Sequence, residues 1–130
     1  MWLFLDTHAS RLSRFAWMEK GKEPKIIELE GRSNVLLPKL AKDRKNFQLL
    51  EGVCVVSGPG SFSAVRTGVL YANLLSRLKK VPLIGMMVED AVDLSRLAKE
   101  LTDGRRTTEA SKYVAPIYDA EPNITLPKNP

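Results

Sequence analysis

Residues 53–70 read VCVVSGPGSFSAVRTGVL, and how this stretch is parsed decides the fold. Val53-Cys54-Val55-Val56 is the kind of apolar, β-branched run found in a strand buried on both faces. Gly58-Pro59-Gly60 interrupts it, and from Ser61 onward apolar residues recur at helical spacing as far as Leu78. Strand, tight turn and helix make a βα unit, the element of a sheet with helices packed on its faces. Turns of this kind also cradle phosphates or expose nucleophiles, so Gly58, Pro59, Gly60 and Ser61 are the first residues to test for chemistry.

Two motif tests fail. A P-loop beginning at Gly58 needs its second glycine where Ser63 stands. A nucleophile elbow centred on Ser61 needs glycines where Pro59 and Ser63 stand. What remains is a helix start with Ser61 as N-cap and free N–H groups near it.

Working outward, Met1-Trp2-Leu3-Phe4-Leu5 predicts a central strand ending at Asp6-Thr7. Ser13–Glu19 places Phe15 and Trp17 on one side and Ala16 and Met18 on the other, and Lys25–Glu30 alternates as an edge strand does. These three form a meander. A helix follows, with Ser33 or Asn34 as N-cap, Leu36, Leu37, Leu40 and Ala41 on its apolar face, and Pro38 early enough to be tolerated. Beyond the opening stretch come a strand over Pro82–Met87 and a helix over Glu89–Leu101, closed by Asp103-Gly104. The order β-β-β-α-β-α-β-α predicts an α/β fold: a mixed five-stranded sheet forming one actin-like or ribonuclease-H-like lobe over residues 1–101. Residues 102–112, TDGRRTTEASK, are polar and aperiodic, a linker. Residues 113–130 read as an extended C-terminal tail in which Tyr113–Tyr118 could add a short strand before prolines 122, 127 and 130.

A chain of 130 residues with 44% hydrophobic and 27% charged residues has the make-up of one soluble domain. Its single cysteine, Cys54, sits in an apolar run, which excludes a disulfide framework and indicates a reducing compartment. No apolar stretch approaches the ~20 residues of a membrane span and no secretory leader is legible, so a cytoplasmic location without membrane contact is expected. The net charge of +5 comes from scattered clusters, among them Lys20-Gly21-Lys22, Lys42-Asp43-Arg44-Lys45, Arg77-Leu78-Lys79-Lys80 and Arg105-Arg106. They permit contact with a polyanion such as RNA without arguing for it.

The lone His8 and lone Cys54 supply no ligand set, so neither metal nor cofactor is expected. Asp6, His8 and Ser61 could be drawn as a triad, but no oxyanion donor is identifiable and His8 reads as a polar residue at a strand end. The helix after the loop is more informative. At ~100° per residue, Arg66, Asn73 and Arg77 fall in one narrow polar stripe, and Ala64, Gly68 and Ala72 make a smooth face at every fourth position. A sheet covers only one side of such a helix, so a neighbouring helix or a partner protein must cover another. Leu36, Leu37, Leu40, Phe62, Val65, Gly68, Val69, Ala72 and Leu75 are the residues expected at that interface, with Gly68→Arg and Ala72→Arg expected to break it.

These motifs carry a family resemblance. Val56–Gly68 resembles the GxGPGSFTGxRxG signature of the TsaB (YeaZ) family, the dimerisation subunits of the bacterial machinery that makes threonylcarbamoyladenosine in tRNA. Leu5-Asp6-Thr7 is similar to the family's IDTS opening, Arg32–Pro38 to its HSExLLP helix, Val81–Gly85 to its following strand, and Ala115–Tyr118 with Glu121–Thr125 to its C-terminal P-x-Y-x-R-x-P. The resemblance implies an actin-like fold that has lost catalysis and pairs, through the first two helices of each partner, with a homologous TsaD-like catalytic subunit. It also implies a TsaE-like ATPase as a further partner and tRNA contact only through the complex. Asp6 and Thr7 would then be the vestige of a nucleotide loop, because His8-Ala9-Ser10 follow where actin-like ATPases have glycines. Ser63 and Ala64 depart from the family's Thr-Gly, Arg32 and Asn34 from its His and Glu, and the second lobe of ordinary members has no counterpart in this sequence. Two other readings stand beside this one: a free-standing homodimeric interaction module and a small serine hydrolase or peptidase.

Overall fold

The computed structural model describes residues 1–31, 35–103 and 114–115. Two long apolar runs become parallel neighbours at the centre: β1 (Trp2–Asp6) lies beside β4 (Gly52–Gly58), Leu3 opposite Val53. β4 is buried along its whole length, which is why its sequence is a continuous hydrophobic run rather than an alternating one. On one side β1 pairs antiparallel with β2 (Leu12–Met18), and β2 with β3 (Ile27–Glu30). On the other, β4 pairs in parallel with β5 (Leu83–Met87). The sheet order is β3-β2-β1-β4-β5, the mixed five-stranded sheet expected. β3 alternates half-buried and exposed residues at the edge, as the sequence pattern required.

Helices cover both faces. Leu3, Leu5, Phe15, Val53, Val55 and Leu83 form one core cluster with Leu36 and Leu40 of α1 (Leu36–Leu40) and Val65, Val69 and Ala72 of α3 (Phe62–Lys79). Phe4, Ala16, Met18, Cys54, Val56 and Ile84 form the other with Leu94, Leu97, Ala98 and Leu101 of α4 (Leu94–Thr102). Alternate residues of each strand thus serve opposite cores.

Three elements differ from expectation. A second short helix, α2 (Arg44–Gln48), follows α1, so the order is β-β-β-α-α-β-α-β-α. It is held onto the sheet from both ends: the Trp17 indole N–H donates to the carboxylate of its N-cap residue Asp43 at 2.9 Å, and Phe47 meets the Trp17 ring edge-on, centroids 5.1 Å apart. The helix expected over Glu89–Leu101 is split into a 3₁₀ turn, Val88–Ala91, and α4. The split lies at Asp93, whose carboxylate accepts the Arg96 N–H at 3.1 Å and so starts a helix of its own. Val114, in the segment that could add a short strand, is not in a strand. It is instead a buried residue of the α3-side core. The N-caps expected at Ser33 and Asn34, and the rest of the linker and tail beyond Asp103, lie outside the described residues.

Candidate functional site

The Gly58–Ser61 turn leaves β4 with Gly58 at φ 127° and a cis Gly58–Pro59 bond. It is held down by main chain: the Ser61 N–H donates to the His8 carbonyl at 3.0 Å. A β-carbon on Gly60 would stand 2.5 Å from that same carbonyl oxygen and 2.7 Å from Val65 Cγ2. The loop is therefore packed against the end of β1. Ser61 occupies the N-cap position but its side chain makes no capping hydrogen bond, a correction to the sequence reading. Its carbonyl accepts the first intrahelical bond, from the Val65 N–H.

Asp6 and Thr7, at the C-terminal end of β1, are buried and occupied. One Asp6 oxygen accepts the His8 main-chain N–H at 3.0 Å and faces His8 Nδ1 at 2.5 Å; the other accepts Arg14 Nη2 at 2.5 Å and Nε at 3.2 Å. The Thr7 hydroxyl donates to the Ala64 carbonyl at 2.6 Å. A shallow depression of about 260 Å³ opens beside this network, lined by Asp6, His8, Ala9, Leu12, Arg14 and Glu28. An aspartate–histidine pair next to a serine has two thirds of a hydrolase triad, but the link between Ser61 and His8 is main chain to main chain. With both Asp6 oxygens engaged and Thr7 turned into α3, these residues lock β1, β2, the loop and α3 together.

The structure redistributes the expected interface. Leu36, Leu40, Val65, Val69 and Ala72 are core residues of the lobe itself, Leu75 is half-buried against that core, and the Phe62 side chain is outside the described residues. The Ala64-Gly68-Ala72 face does let another segment approach closely, but that segment is Thr7: a β-carbon on Gly68 would meet Thr7 Oγ1 at 2.2 Å. Asn73, one of the residues of the narrow polar stripe, faces the chain's own C-terminal segment. Its amide donates to the carbonyls of Val114 at 3.0 Å and Val69 at 2.8 Å, and its oxygen accepts the Val114 N–H at 3.0 Å. The face of α3 left open is one step around the helix, at Leu70 (54% exposed), Leu74 (48%) and Leu78 (77%), with Leu37 of α1 (43%) on the same layer. Sequence reasoning missed this row, although its i, i+4, i+8 spacing was available. An all-apolar circumference says that a second cover exists but not which arc the sheet takes.

Against known proteins, the family model described as "TsaD: tRNA N6-adenosine threonylcarbamoyltransferase" matches residues 35–108, more than half of the chain, and the chain belongs to that family. Among solved structures it is similar to YeaZ from Pseudomonas aeruginosa, with a TM-score of 0.58 and 17% identity over 66% of this chain and 44% of that one. A second similar structure, an uncharacterized protein described as having similarity to peptidase YeaZ from Pseudomonas aeruginosa, gives a TM-score of 0.58 and 20% identity over 66% and 42%. The fold is thus the actin-like one, and the chain spans less than half the length of these structures. No curated protein sequence matches it.

Proposed function

We propose that the chain is a TsaB-like, non-catalytic subunit that supports a TsaD-like partner in the threonylcarbamoylation of the anticodon-loop adenosine of tRNA. The observation that carries this reading is the outward row Leu70-Leu74-Leu78, with exposed Leu37 of α1 on the same face of the sheet. These are large apolar side chains at helical spacing which the lobe's own helices leave uncovered, on the two elements that the family resemblance assigns to pairing. The occupied state of Asp6, Thr7 and the Gly58–Ser61 turn supports a positioning role over a catalytic one. A TsaE-like ATPase would be a further partner of that assembly.

The test is sedimentation of the purified chain with the cognate TsaD-like protein. A 1:1 complex is expected, and Leu70→Glu with Leu74→Glu should abolish it while leaving the thermal midpoint close to that of the parent, since surface substitutions usually shift stability by only about 0.5 kcal/mol. Full affinity in that double variant would overturn the interface. Sedimentation of the chain alone tests the homodimeric reading, because the same row would then pair with itself.

A further inference from the structure

Asn73 of α3 and Gly85 of β5 form a slot for one extended residue. The Asn73 side chain bonds both main-chain groups of Val114, its Nδ2 donating to the carbonyl at 3.0 Å and its Oδ1 accepting the N–H at 3.0 Å. A primary amide offers the same donor and acceptor as a peptide group, so this pair reads main chain and carries no preference for sequence. The preference comes from the other wall. Glycine inside a strand weakens it and marks a close approach, and a β-carbon on Gly85 would stand 2.7 Å from Val114 Cγ1. The valine side chain is thereby buried in the cluster that holds Val69 and Leu83. Asn73 Nδ2 also donates to the Val69 carbonyl of its own helix at 2.8 Å, a bond that does not depend on Val114.

The occupant belongs to a part of the chain that starts far from the slot. α4 lies on the opposite face of the sheet, with Leu101 in the other core cluster. Its C-cap Asp103 stands 4.0 Å from Nζ of Lys20, just past the end of β2. β2 and β5 are three strand spacings apart in the sheet, about 14 Å, so Asp103 and Val114 are separated by sheet width as well as sheet thickness. Residues 104–113 join them, and eleven Cα steps can reach about 36 Å. That length allows one chain to fill its own slot. Nothing in the slot itself distinguishes that valine from the same valine of another copy.

We propose that the Asn73–Gly85 slot is an exchangeable docking site for the Val114 segment, filled within one chain when dilute and by a second copy of the chain when concentrated. A second copy is the occupant because it carries the identical valine and main chain, so the closed and exchanged forms make the same contacts. What remains between them is the tether against concentration. A short tether holds its end at an effective concentration of about 1 mM; exchange competes near that value and prevails wherever the tether is too short to close. The slot uses none of the Leu70-Leu74-Leu78 side chains, so it and that row can fail separately.

Sedimentation of the full chain beside a shortened one tests this. Deleting residues 104–111 leaves a reach of about 10 Å, too short for closure, and should tighten dimerisation about tenfold or more relative to the parent. Asn73→Ala in the shortened chain should return it to monomer, whereas Leu70→Glu with Leu74→Glu should leave the dimer intact. A second measurement does not need the shortened chain to fold. A fluorescently labelled peptide of residues 110–118, ASKYVAPIY, should bind the full chain carrying Val114→Asp. Adding Asn73→Ala to that chain, or Val114→Asp to the peptide, should weaken binding about tenfold, the scale of one lost buried contact. A shortened chain that folds and stays monomeric, a dimer that survives Asn73→Ala but not the leucine reversals, or peptide binding indifferent to Asn73 would overturn the proposal.

Discussion

Gly68 shows how one missing methyl group fixes an arrangement of larger parts. Its position under Thr7 is a contact between β1 and α3, and any side chain there must push the strand end from the helix. Gly68→Ala should therefore destabilise by about 1–3 kcal/mol, the usual range for overpacking a tight contact, read as a lowered midpoint in chemical denaturation. Asp6→Asn tests the neighbouring network. It removes the charge that holds Arg14 and His8, and a loss of about 1.5–3 kcal/mol is expected from weakened charge-assisted bonds. The sequence marks both residues as special, Gly68 by its repeat with Ala64 and Ala72 and Asp6 by its place at a strand end. It does not say what each faces, because a small-residue face serves a partner's backbone and a chain's own strand equally well.

Among elements, α3 was the most legible in extent and the least legible in orientation. Its bounds follow from the turn before it and the basic cluster after it, and the core partners Val65, Val69 and Ala72 follow from helical period. Which way Asn73 points does not, since an amide in a polar stripe looks the same whether it meets water or main chain. Here it closes a two-bond clamp on Val114, and Gly85 leaves room for the valine: a β-carbon there would meet Val114 Cγ1 at 2.7 Å. Asn73→Ala should leave the Val114 N–H without its partner and raise its hydrogen-exchange rate markedly more than that of amides in β4. α2 was missed for a related reason, as a five-residue helix has too little period to register. It is held by Trp17, a tertiary contact that no local pattern encodes.

For the whole molecule, the two core clusters share a single sheet, and the sheet is only one layer thick. Trp2 packs against the α4-side cluster and Trp17 against the α3-side cluster, so the two indoles report on opposite faces. Variants that keep one tryptophan each, Trp2→Phe and Trp17→Phe, should each show the same unfolding midpoint by fluorescence as by circular dichroism if the lobe unfolds as one cooperative unit. The βα order and central strands make the fold readable from sequence, and they also impose a timetable. Val114, a constituent of the α3-side core, is synthesised after every strand and helix described. With translation at about 5–20 residues per second, the nascent lobe waits with the slot between Asn73 and Gly85 open, a brief window in which a chaperone or another extended segment could occupy it first.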